Sequence, residues 1–174
     1  MTDTGNLAAA MLGLETAQAT EVLRELLLDA DLRAGTAHAG FDLAARAKDD
    51  TAFLREVLQA ADHPGEPEDP AASPQQLLSA IVTAVPALTE PAGDALIALE
   101  ERETTLDIAS SLDVASIAIA ASAAIIRPLV TFEKKRDGDH ETTRIRIDVR
   151  GIQDLGAVLR ALLPFLPGGK NGNR

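Results

Sequence analysis

The chain has 174 residues, of which 46% are hydrophobic and 25% are charged, and it contains no cysteine. This length fits one ordinary domain or two small ones. Without cysteine there is no disulfide scaffold, no zinc finger and no thiol nucleophile. The four aromatic residues are all Phe, which disfavours a stacking platform for single-stranded nucleic acid.

The net charge of −11 is unevenly distributed along the chain. Residues 1–112 contain 20 acidic and 6 basic side chains, whereas residues 113–174 contain 7 acidic and 10 basic ones. A strongly acidic protein is repelled by phosphate backbones and by anionic lipid surfaces. We therefore expect neither nucleic acid nor a membrane as a partner.

The apolar run at residues 114–126 is the most hydrophobic part of the sequence. Its 13 residues are fewer than the roughly 20 that a membrane-spanning helix needs. The first residues carry no basic stretch of the kind that opens a secretory signal. A cytoplasmic location is the resulting expectation.

Residues 1–62 have the pattern of three or four short helices, which predicts a small N-terminal helical bundle. Val22 and Leu26 lie on the apolar stripe of one helix, with Thr16 or Thr20 as its expected N-cap. A second helix is expected to contain Phe41, Leu43, Ala44 and Ala47. Asp49 or Asp50 is expected to cap a third helix, which carries Phe53 and Val57. We predict Val22, Leu26, Phe53 and Val57 as candidate protein-interaction residues on these helix faces.

Residues 63–73 read HPGEPEDPAAS, a composition typical of a linker. Ser73, Pro74 and Gln76 then form a capping-box signature, which predicts a helix that begins at residue 74 and ends before Pro86. Residues 95–102 and 114–126 fit either a helix or a strand, and the charge pattern of the first and the alanine content of the second favour helices.

Residues 129–150 change to a period of two around Asp137 and Gly138, which predicts a β-hairpin. The helix that follows Gly151 has one continuous apolar stripe and is expected to cover the hairpin. Residues 74–166 therefore form a predicted α+β module, and residues 167–174 a disordered tail. The whole chain is predicted to be an α+β protein, and whether its two modules dock on each other stays open.

The order of elements from about residue 113 to residue 166 resembles the effector-associated constant component proteins of bacterial conflict systems. The similarity is carried by residues 125–127, 130–132, 137–138, 145–149 and 154–163. It covers less than a third of the chain, and glycine is replaced by Ala and Ser in the long helix. The resemblance implies a non-catalytic adaptor that accompanies a protease, an NTPase or another effector. The N-terminal bundle would then be the helical adaptor domain.

The sequence contains no P-loop, no GxGxxG and no GxSxG motif. No catalytic residue, cofactor or metal ligand is predicted from it. Arg144, Arg146 and Arg150 form the one basic patch, together with Lys134, Lys135 and Arg136, and they are predicted as further candidate protein-interaction residues. The intervening acids and the lack of aromatic residues argue against nucleic acid as its partner.

Two hypotheses for the function follow from these patterns. The first is a non-enzymatic adaptor or regulatory subunit that links or recruits an effector in a bacterial defence or signalling system. The alternative is a self-assembling structural protein, which forms a homo-oligomer through its Ile/Ala-rich helix and the free edge of the hairpin.

Overall fold

The computed structural model describes residues 3–35, 43–61, 72–102, 114–148 and 150–167. Within these ranges, helices and one antiparallel hairpin form an α+β fold, as the sequence predicts. Phe41, residues 63–71 of the linker, Val149 and residues 168–174 of the tail lie outside the described residues. The other members of the second predicted helix, Leu43, Ala44 and Ala47, belong to the same helix as the predicted third one, Leu43–Ala60. In chain order the elements are α1 (Thr4–Leu12), α2 (Thr16–Ala34), α3 (Leu43–Ala60), α4 (Pro74–Ala84), α5 (Thr89–Glu101), α6 (Val114–Ile126), β1 (Val130–Asp137), β2 (His140–Ile147) and α7 (Leu155–Leu162).

The start of α2 differs from the predicted threonine cap. Glu15 is the N-cap, and its backbone N–H donates to Oε1 of Gln18 at 2.9 Å. Thr20 lies inside the helix and donates its hydroxyl to the carbonyl of Thr16 at 2.7 Å. The helix ends at Gly35, whose φ of +67° is the left-handed conformation that favours glycine at a helix C-terminus.

The predicted helix start at Asp49 or Asp50 is wrong, because α3 runs without a break from Leu43 to Ala60. An aspartate favours a helix start when it accepts from free backbone N–H groups. The Asp50 carboxylate instead accepts from the guanidinium groups of Arg46 and Arg127, at 3.2 and 2.9 Å. With both oxygens bonded to side chains, Asp50 is stable in mid-helix.

The predicted start of α4 is confirmed. The Ser73 hydroxyl accepts from the backbone N–H of Gln76 at 3.3 Å, and Pro74 occupies the first helical position. The helix ends at Ala84, and a 3-10 turn at Pro86–Leu88 leads into α5. Both ambiguous segments are helical, since residues 95–101 belong to α5 and residues 114–126 form α6.

One hydrophobic core extends across the boundary between residues 62 and 74. Helix α1 packs on α4, α2 packs on α4, α5 and α6, and α3 packs on α6. Buried side chains from all these helices form a single cluster, which includes Leu23, Leu54, Leu78 and Ile126. The predicted segments 1–62 and 74–166 are therefore docked on each other through this shared core.

Helix α6 is the centre of the fold. Ten of its thirteen residues are buried, which explains why its apolar residues follow no single face. Its small alanines let α2 and α3 approach closely on two sides. The hydroxyl of Ser122 is fully buried and has no hydrogen-bond partner among the described residues.

The two strands pair in the register that the hairpin prediction implies. Val130 lies opposite Ile147, Phe132 opposite Ile145, and Asp137 opposite His140. Gly138 takes a φ of +63° in the turn, a conformation that most L residues avoid. Val130 is buried and the other three apolar residues of this face are half-buried, so only the base of the hairpin contributes to the core.

The main helix against the hairpin is α3, not the last helix as expected. Helix α3 contacts β2, whereas α7 packs chiefly on α4 and also touches α6. The backbone N–H of Gln153 donates to the carbonyl of Ala84 at 2.7 Å, which holds the start of α7 at the end of α4. Leu155, Val158, Leu159 and Leu162 then bury the apolar stripe of α7 in the shared core.

We expect Ser122→Ala to raise the free energy of unfolding by about 1 kcal/mol more than Ser79→Ala does. Both substitutions gain the same helix propensity, but only the first removes a buried hydroxyl with no described partner. Ser79 lies on α4 and is half-buried. Urea unfolding of the two variants measures the difference, and equal effects would contradict the assignment of Ser122 as unsatisfied.

Candidate protein-interaction surface

The hairpin projects from the helical body beyond its first three residue pairs, the third of which is Phe132 with Ile145. All side chains from Glu133 to Arg144 are exposed on both faces of the ribbon. Residues 133–146, which we call the hairpin arm, carry five basic and four acidic side chains. The arm therefore has a net charge of +1 and the remaining chain −12, so an acidic partner meets less repulsion at the arm than the net charge of the protein implies.

Cross-strand ion pairs order the charges of the arm. Arg146 Nη1 lies 3.1 Å from Oε1 of Glu133, and Lys134 Nζ lies 3.9 Å from Oε1 of Glu141. All four side chains are more than half exposed. Such surface pairs contribute about 0–1 kcal/mol each, so a partner can replace them at little cost.

The arm also presents backbone hydrogen-bonding groups. Its sheet contains two strands in the described part of the chain, so each strand has an outer edge with no neighbouring strand there. Exposed edges pair with extended segments of other chains unless they are covered or charged. The alternating charges on this ribbon oppose indiscriminate pairing and select for a segment of complementary charge.

The base of the arm is held by an aromatic and cationic stack. The rings of Phe53 on α3 and Phe132 on β1 meet edge to face, with centroids 5.9 Å apart. The guanidinium carbon of Arg127 lies 4.8 Å from the centroid of the Phe53 ring on α3. Both geometries are favourable for aromatic rings, so this stack fixes the hairpin relative to the body.

Arg127 also ends a chain of ion pairs that reaches into the body. Its Nη2 donates to Oδ1 of Asp50 at 2.9 Å, and Oδ2 of Asp50 accepts from Nε of Arg46 at 3.2 Å. The two terminal nitrogens of Arg46 donate to the two oxygens of Asp31, at 2.5 and 2.7 Å. We call Asp31, Arg46, Asp50 and Arg127 the ion-pair chain; it joins α2, α3 and the turn after α6.

Both carboxylates of this chain are buried, with 5% or less of each side chain exposed. Burial raises the pKa of Asp50 above its usual value, and the charges of Arg127 and Arg46 act in the opposite direction. The hydrogen bonds from Arg46 to Asp31 raise the pKa of that guanidinium, so it stays charged. Removing one partner from such a chain leaves a buried charge uncompensated.

The candidate interaction residues lie in different environments. Val22, Leu26 and Val57 are completely buried and belong to the core, and Phe53 is half-buried in the stack. Arg144 and Arg146 are exposed on the arm, and Arg150 is exposed just beyond β2. The structure therefore gathers Arg144 and Arg146 on one accessible face, whereas the apolar candidates hold the fold together.

Sequence reasoning missed Asp31, Arg46 and the role of Asp50. The four-residue spacing of Arg46 and Asp50 on one helix was a detectable signal. Nothing in the local pattern could indicate that Asp31, 15 residues earlier, would meet Arg46. Long-range ion pairs depend on how the helices pack, and this packing cannot be predicted from any short segment of the sequence.

The described ranges contain no group of three or more His, Asp or Glu side chains placed to hold a metal ion. His140 is exposed in the arm, while His38 and His63 lie outside these ranges. No single described helix has the length and apolar character to cross a membrane; α4 and the Pro86–Glu101 segment pass that test only together, across a bend of 112°.

Comparison with known proteins gives no relative: no protein-family model, no curated protein and no solved structure matches the chain. The resemblance of residues 113–166 to effector-associated constant components thus stays a prediction.

We expect the pKa of the Asp50 carboxyl to lie above its usual value, because burial disfavours its charged form. A raised pKa means that the folded state binds the proton more tightly than the unfolded state. The stability advantage of the wild type over Asp50→Asn is therefore greatest at low pH and declines as pH rises through the pKa of Asp50. Carbon-13 NMR of the carboxyl measures the pKa, and urea unfolding across pH 3–7 measures the advantage. A titration below the usual range would contradict this assignment.

We expect Phe53→Leu to weaken the base of the arm, because it removes the ring that contacts both Phe132 and Arg127. A loss of about 1 kcal/mol is typical for an aromatic pair, so amide hydrogen exchange should accelerate at Phe132 and Ile145. Phe165→Leu is the matched control, since Phe165 packs away from the hairpin next to α7. Equal acceleration in both variants would show that the stack does not hold the arm.

Proposed function

We propose that this protein is a non-enzymatic adaptor that binds a protein partner through the hairpin arm. One observation carries the proposal: a charged two-stranded ribbon is exposed on both faces, with outer edges that no other described strand covers. A binding surface with these properties suits an extended peptide segment, which adds to the sheet through main-chain hydrogen bonds.

The arrangement at the base of the arm supports this function. Binding to a fixed ribbon costs less conformational entropy than binding to a loose one. The stack of Phe53, Phe132 and Arg127 and the ion-pair chain hold the ribbon on the body. The partner segment is expected to be acidic opposite Arg144 and Arg146, since charge complementarity sets the register and speeds association.

The proposed partner is an effector of a bacterial defence or signalling system, such as a protease or an NTPase. This part of the proposal depends on the resemblance of residues 113–166 to effector-associated constant components. We propose the cytoplasm as its compartment, because a chain without cysteine gains no disulfide from an oxidising one.

Self-assembly is the second candidate function, and the free strand edges favour it as well. A second copy of the hairpin can supply the added strand. Helix α6, the Ile/Ala-rich helix of this hypothesis, is buried by α2 and α3, so of its two surfaces the hairpin edge is the one accessible to a second copy.

The test uses the full chain as bait in native bacterial lysate, with quantitative mass spectrometry. We expect the wild type to enrich an effector protein, and Arg144→Gln with Arg146→Gln to reduce that enrichment at least fivefold. Arg24→Gln with Arg33→Gln is the matched control, because it removes two exposed arginines that also pair with acids, on α2. The control should enrich the effector as the wild type does.

Two results would overturn the adaptor proposal. The first is equal enrichment by the arm variant and the wild type, which would place the binding surface elsewhere. The second is recovery of this same chain alone, together with a defined oligomer in analytical ultracentrifugation that the arm variant lacks. That second result would establish the self-assembling alternative.

A further inference from the structure

A cavity of about 430 Å³ lies on the side of the body where α2, α4 and α6 end. This volume is within the range of small-molecule sites in proteins. Most of the accessible lining is apolar. Its apolar walls are formed by Val85, Leu88, Ala124, Ile125, Pro128 and Leu129.

Polar groups occur at the cavity as ion pairs. Asp31 engages both of its oxygens with Arg46, and Asp29 Oδ2 lies 3.0 Å from Nε of Arg33. These carboxylates and their arginines line the cavity together with Arg127. A ligand that enters meets aspartates that are already neutralised, so the lining does not favour a cation.

Arg127 is the group that gives the cavity a preference for an anionic ligand. One of its N–H groups donates to Asp50, and its guanidinium carbon lies over the ring of Phe53. A guanidinium has five N–H donors, and none of the others has a partner among the described residues. Its side chain is 53% exposed, so these donors are accessible from solvent while Asp50 and Phe53 fix the orientation of the group.

We propose that this cavity binds a small apolar carboxylic acid, with its carboxylate on Arg127 and its hydrocarbon part against the apolar walls. Guanidinium groups favour planar oxygen pairs, and a hydrogen bond between two charged groups is stronger than one between neutral groups. The apolar walls supply affinity that a simple inorganic anion would lack. Val85, Leu88 and Ile125 are buried side chains, so the walls are a rigid part of the core.

The site is independent of the adaptor function, because it lies in the body and uses none of the arm residues. Arg127 nevertheless contacts both regions, since it lines the cavity and stacks on the ring that touches Phe132. No step of the ligand proposal requires a protein partner.

The test titrates the full chain with octanoate, octan-1-ol and octylammonium, three probes that share a chain and differ in charge. Calorimetry gives affinities, and methyl NMR shifts of Leu88, Ala124 and Ile125 locate the site. We expect octanoate to bind one-to-one and most tightly. Arg127→Gln should weaken octanoate binding about tenfold or more and octan-1-ol binding less than twofold.

Two further variants keep the result unambiguous. Ala124→Leu fills the cavity without touching an ion pair, and it should abolish binding of both octanoate and octan-1-ol. Arg24→Gln makes the same charge change as Arg127→Gln on an exposed part of α2 outside the cavity, and it should leave both affinities unchanged.

The proposal is overturned by any of three results. One is the absence of saturable octanoate binding at millimolar concentration. Another is an octylammonium affinity equal to or above that of octanoate. The third is octanoate binding that Ala124→Leu leaves intact, because the ligand would then lie outside this cavity.

Discussion

The ion-pair chain from Asp31 through Arg46 and Asp50 to Arg127, whose two carboxylates are buried, determines how three parts of this molecule meet. It connects α2 to α3 and α3 to the turn that precedes the hairpin. Apolar side chains can slide past one another at a small cost, but a buried carboxylate must keep its donors. The chain therefore fixes the relative positions of three elements that hydrophobic burial alone would leave less well defined.

This constraint matters because the buried core of the described residues is mostly apolar. Its core is built from Ala, Val, Leu and Ile, with four Phe in the whole sequence, and volume alone discriminates poorly among packings of such residues. Directional contacts between α3 and its neighbours supply that discrimination. The same interactions end at Arg127, which stacks on Phe53, so the orientation of the hairpin depends on an aspartate in mid-α3.

Local chemistry explains which parts of the fold were predictable. The start of α4 depends on Ser73 and Pro74, and the hairpin turn depends on Asp137 and Gly138. Both pairs interact only with residues close to them in sequence, so a short sequence window is enough to predict these two features. Asp50 resembles an N-cap in the same kind of window, and only Arg127, 77 residues later, reveals its role. The prediction that α7 covers the hairpin is wrong for the same reason. The apolar stripe of α7 can pack on any apolar surface, and in this fold it packs chiefly on α4.

The candidate site was harder to predict than the fold, because an adaptor surface has no chemical motif. Arg144 and Arg146 were found from period-two alternation, which places them on the face away from the core. Val22, Leu26 and Val57 were chosen by apolarity, the property that also buried them. Apolarity alone cannot distinguish interface residues from core residues when other apolar helices of the same chain can bury them. Exposed charge on a ribbon whose outer edges no other described strand covers does separate them, because burying unpaired charge is too costly for a core. For this reason the hairpin arm is the candidate interaction surface.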